Sequence, residues 1–131
     1  STFAKCFDVE EGPGLADQLL EDVLEQDLCQ PTNTANLSVI TSGTALARER
    51  ATCDHARIQD LLAHWKTEHA LIVVDLPAAL SSSMCWTIAP LLDGILLVVE
   101  ADRVDSDAAQ QVKRRLTEAG ARPFGVVLNK K

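Results

Sequence analysis

Three uninterrupted apolar runs constrain this chain more than any other feature: Leu71-Ile72-Val73-Val74, Ile95-Leu96-Leu97-Val98-Val99 and Phe124-Gly125-Val126-Val127-Leu128. Strands with water on one face alternate apolar and polar residues. Continuous runs rich in branched side chains belong to strands buried on both faces, as in parallel sheets. Leu37-Ser38-Val39-Ile40-Thr41, closed by Ser42-Gly43, adds a fourth and shorter strand. Segments with helical spacing lie between the runs, and parallel neighbours need such crossovers. The expectation is an α/β fold, a mostly parallel sheet of four or five strands with helices on both faces, in a single domain over residues 1–131.

The intervening helices have identifiable starts and stops. Gly12-Pro13-Gly14 is a turn, followed by a short helix with Leu15 and Leu19 on one face. Acidic Glu21, Asp22, Glu25 and Asp27 then surround Val23, Leu24 and Leu28, a solvated helical face. A second helix carries Ile58, Leu61, Leu62 and Trp65, with Asp54 as its cap, and a third runs from Ser81 to about Leu92. The last begins near Ser106 with Asp105 as cap. It presents Ala108, Val112 and Leu116 as a stripe, places Lys113, Arg114 and Arg115 toward its end and stops at Gly120.

Composition narrows the function classes. With 131 residues, 47% hydrophobic and 24% charged, the chain is long enough to bury a core. The net charge of -7 opposes broad phosphate binding, so nucleic acid is not an expected partner. No apolar run approaches the roughly 18 residues that span a bilayer, and no signal peptide pattern opens the chain; the expectation is a cytoplasmic protein without direct membrane insertion. Cys6, Cys29, Cys53 and Cys85 are widely spaced with no Cys-x-x-Cys pair, which suggests reduced, mostly buried thiols.

Asp75 ends its apolar run, and Pro77 turns the chain just after it. A carboxylate delivered by a buried strand to the carboxyl edge of a sheet can orient magnesium beside nucleotide phosphates; the alternative is a turn or cap acid. Asn129 ends the last strand, where its amide can meet a base or ribose, or form a turn. Asn129-Lys130 also resembles the start of a guanine-reading Asn-Lys-x-Asp motif. Asp93 reads as a turn residue. His64 and His69, five apart, point to different helix faces, and Cys53-x-His55 lacks a second ligand pair. Ser81-Ser82-Ser83 has no flanking nucleophile-elbow glycines and reads as a loop. No Gly-x-x-x-x-Gly-Lys-Ser/Thr phosphate loop occurs among the 131 residues.

In order along the chain, these pieces resemble the cytoplasmic domain of bacterial exopolysaccharide tyrosine kinases, relatives of the MinD and ParA deviant Walker ATPases. Phe7 with Gly12-Pro13-Gly14-Leu15-Ala16-Asp17-Gln18-Leu19 is similar to the family's Phe-Gly-x-x-x-x-x-Gly-Leu-Ser-Asp-x-Leu segment. Asn36 to Gly43 resembles its Asn-Leu-x-Val-Leu-x-x-Gly strand, and Leu71 to Pro77 its Val-Ile-Ile-Asp-x-Pro Walker B strand. Leu92 to Val99 and Gly125 to Asn129 resemble its Asp-Gly-Val-Leu-Leu-Val-Val and Gly-Val-Val-Leu-Asn strands.

The resemblance implies a kinase-like module of exopolysaccharide biosynthesis or export. Its partner would be an inner-membrane chain-length regulator or co-polymerase, with self-association and a peripheral place at the inner membrane. It implies ATP and magnesium as ligands, with Asp75 on magnesium, Pro77 in the Walker B turn and Asn129 near the adenine. The family's phosphate loop and Walker A prime strand precede the position of Phe7, so here they would lie before Ser1, and its tyrosine-rich tail would follow Lys131. Ala78 stands where a second proline is usual, Ser83-Met84 replaces a common Thr-Asp pair, and the chain has no tyrosine.

The chain alone is thus expected to hold no cofactor and to be catalytically incomplete, since phosphoryl transfer depends on the loop's amides and lysine. A degenerate scaffold of the polysaccharide machinery and a fragment of a MinD/ParA-type ATPase are the alternatives. In folds of this type the phosphate-loop strand lies between the Walker B strand and the next one. Its loss leaves a gap between residues 71–75 and 95–99, closed either by Phe3–Val9 as a strand or by direct pairing.

Overall fold

The computed structural model describes residues 2–20, 28–52, 54–79, 81–101 and 106–130. The chain divides into two compact units, Ser1–Asp54 and His55–Lys131.

The first unit opens with α1 (Thr2–Phe7), so Phe3–Val9 is no strand. The reason is the four-residue spacing of Phe3 and Phe7, whose rings meet at 4.9 Å between centroids on one helix face. Asp8 closes the helix in the left-handed region at φ 53°, and the Val9 amide donates to the Ala4 carbonyl at 3.0 Å, a Schellman-type stop. After the Gly12-Pro13-Gly14 turn, α2 (Leu15–Leu20) forms as expected, though Ala16 and Gln18 are the buried residues and Leu15 and Leu19 only half-buried. The acidic stretch from Glu21 to Asp27 lies outside the described residues.

β1 (Gln30–Pro31) and β2 (Ser38–Val39) form an antiparallel hairpin, so the strand expected over Leu37–Thr41 is shorter and its partner antiparallel. Thr32 fastens the turn, its hydroxyl and amide both donating to the Leu37 carbonyl. α3 (Ala45–Arg50) follows, capped by the Thr44 hydroxyl, with Ala47 buried beneath. Leu28 is 1% exposed and is the best-buried large side chain of this unit.

The second unit begins with α4 (His55–Glu68), directly after Asp54, and buries Ile58, Leu62 and Trp65 on the expected stripe. α5 (Ser83–Ile88) is capped by the Ser82 hydroxyl and runs into a 3₁₀ turn over Ala89–Leu91, matching the helix expected from Ser81 to about Leu92. β3 (Ile95–Glu100) and β4 (Pro123–Asn129) pair in parallel, joined by α6 (Ser106–Glu118) as the crossover. Gly120 at φ 86° ends α6, with the Ala121 amide donating to the Leu116 carbonyl at 2.9 Å. The cap expected at Asp105 lies outside the described residues. Cys85, Ala89, Val112, Leu116 and Ala121 form the core here, with Leu76, Ala79, Trp86, Ile95 and Leu97 packed against it.

The α/β class holds, but the strand census differs from the expectation. Among the described residues the ladders are one antiparallel pair and one parallel pair. Residues 71–75 form neither helix nor strand; their exposure alternates residue by residue, and no strand pairs with them. Neither expected closure of the gap occurs: Phe3–Phe7 is helical, and β3 pairs with β4 rather than with residues 71–75. Branched side chains make a run extended, but a ladder also needs a neighbour offering amides and carbonyls in register.

Candidate functional site

Asp75 and Pro77 lie exposed on a segment that forms neither helix nor strand. Asn129 is the last residue of β4, exposed and in register with Glu100 at the carboxyl end of the parallel pair. Its backbone carbonyl accepts from the Ala101 amide at 2.8 Å, which ties the ends of β3 and β4 together. The ladder therefore fixes Asn129 at a sheet edge and leaves Asp75 outside any ladder.

Magnesium demands near-octahedral oxygen coordination, usually shared among carboxylates, hydroxyls and phosphates. Among the described residues no group of three His, Cys, Asp or Glu converges on one point. Asp75 offers a single exposed carboxylate, and no phosphate loop is present in the sequence to bring the nucleotide's oxygens beside it. The residues present do not by themselves fit ATP with magnesium.

The other sequence candidates have structural roles. Ser82 caps α5, and the Ser81 hydroxyl donates to the Ala78 carbonyl at 3.0 Å. Asp93 is paired with Lys66, Nζ to Oδ2 3.0 Å, an exposed ion pair. His55, His64 and His69 are all exposed. Of the described cysteines, which are all free thiols, only Cys85 is buried; Cys6 is exposed and Cys29 half-buried, against the expectation of mostly buried thiols. Burial pushes the Cys85 thiol's pKa up, so it is an inert core residue. No helix among the described residues is long and apolar enough to cross a membrane.

A polar cluster in the first unit is built around Asp17. One carboxylate oxygen of Asp17 accepts from the amides of Gly14 and Thr44, both at 2.9 Å, and the other accepts from the Thr44 hydroxyl at 2.7 Å. Burial raises the Asp17 pKa, but these hydrogen bonds outweigh it and hold the carboxyl below its ordinary value. The Leu15 and Ala16 amides donate to the carbonyls of Thr41 and Ser42. Gly14 is needed for that approach, because a Cβ there would sit 2.3 Å from the Thr41 carbonyl oxygen. Arg48 completes the cluster by donating to the Ser42 hydroxyl and the Gly43 carbonyl, each at 3.1 Å. The available signal was Thr44 ahead of Ala-Leu-Ala-Arg-Glu-Arg, a cap before good helix formers.

The cluster spans the two N-terminal motifs of the resemblance, and similar proteins carry that resemblance further. No protein-family model matches the sequence. CapB of Staphylococcus aureus is 23% identical over 124 residues, 95% of this chain and 54% of that protein. The tyrosine-protein kinase CpsD of Streptococcus agalactiae is 26% identical over 117 residues, 89% of this chain and 51% of CpsD. The tyrosine-protein kinase YwqD of Bacillus subtilis is 22% identical over 99% of this chain and 55% of YwqD. The chain thus spans about half the length of the curated relatives it matches.

The kinase domain of VpsO superposes with a TM-score of 0.84 at 26% identity, covering 98% of this chain and 64% of that one. The kinase domain of the Escherichia coli tyrosine kinase ETK gives the same TM-score at 23% identity, with 98% and 50% covered. The chain is therefore a relative of the bacterial tyrosine-protein kinases, built on part of the P-loop NTPase-like α/β fold of their kinase domains.

Proposed function

We propose that this chain is a kinase-like module of bacterial exopolysaccharide biosynthesis or export, catalytically incomplete as it stands, whose two units form part of one P-loop kinase-like domain. The reading is carried by likeness to the VpsO kinase domain over 98% of the chain combined with the lack of a phosphate loop in the sequence. Regulation of polymer assembly or chain length is the task we assign to it, through an inner-membrane chain-length regulator or co-polymerase and through self-association. Its place is the cytoplasm, held at the inner membrane by that partner.

Asp75 would contribute a magnesium ligand, and Asn129 with Pro77 contacts to the nucleotide, only where a phosphate-binding half accompanies them. A second reading, a scaffold that has lost the chemistry, is favoured by the lack of tyrosine and by Ala78 and Met84 at altered motif positions.

Calorimetric titration of the chain with ATP and magnesium tests the incompleteness. No heat of binding is expected up to millimolar nucleotide, and Asp75→Ala should titrate identically to the unchanged chain. Micromolar binding lost in Asp75→Ala would overturn the reading.

A further inference from the structure

We draw no further inference here: the strongest candidate, the cleft of about 210 Å³ lined by Glu11, Gly12, Thr41, Ser42, Gly43 and Arg48 ahead of α3, carries nothing, because Arg48 is held by the Ser42 hydroxyl and the Gly43 carbonyl, the Thr41 hydroxyl, which has no hydrogen-bond partner, is closed to solvent, and the Glu11 carboxylate in the same lining offsets the charge of Arg48, so that nothing in the structure shows what would occupy it.

Discussion

Leu97 and its neighbours Leu96 and Val98 are chemically almost interchangeable, and the fold treats them oppositely. Leu97 packs on the cluster of Cys85, Ala89, Val112, Leu116 and Ala121, whereas Leu96 and Val98 on the other face of β3 are more than half exposed. Among the described residues, α5 and α6 cover one face of the β3–β4 pair, while Leu96 and Val98 on the other face stay largely exposed. The first unit differs again: around Asp17 it is organised by three hydrogen bonds to one carboxylate more than by large apolar side chains.

The largest effect should come from breaking the covered side. Leu116→Ala removes a side chain that is 1% exposed and should cost about 2–5 kcal/mol in urea unfolding. Within β3, Leu97→Ala should cost about 1–2 kcal/mol and Leu96→Ala less than that, because Leu97 packs on the helical core while Leu96 is 54% exposed. Equal losses at the two positions would show that both faces are buried in solution.

Asp17→Asn sharpens the contrast with the first unit. It should cost about 1 kcal/mol near neutral pH through weaker hydrogen bonds. The Asp17 pKa is lowered in the folded chain, so its contribution is present above the unfolded-state value of 3.8 and is lost as pH falls through the folded value. The variant should therefore show a shallower loss of stability below about pH 4, read by urea midpoints across an acid series. An unchanged acid limb would mean that the Asp17 clamp does not form.

Much of the second unit was legible beforehand. Val112, Leu116 and Gly120 marked α6 and its stop, Ile58, Leu62 and Trp65 marked α4, and the branched runs marked β3 and β4. These signals are local, since helical spacing, a glycine stop and branched side chains act within a turn or two. Phe3 and Phe7 misled because a short segment with large residues four apart fits a helix, although its apolar content also suits a strand. The site was less legible. Asn129 ends β4, whereas the strand expected to carry Asp75 does not form, and the clamp of Asp17 on Thr44 joins residues 27 apart and leaves no periodic trace.

Local sequence signals were enough for α4, α6, β3 and β4 and for the glycine stop of α6, because helical spacing, branched side chains and a left-handed glycine act through backbone sterics over a turn or two. Pairing followed from long-range packing instead. It put β3 beside β4, left residues 71–75 without a ladder and packed Leu97 on the helical core while Leu96 stayed more than half exposed. A hydrogen-bonded ladder and a packed face each need a second body, and no run of residues specifies alone whether that body is there.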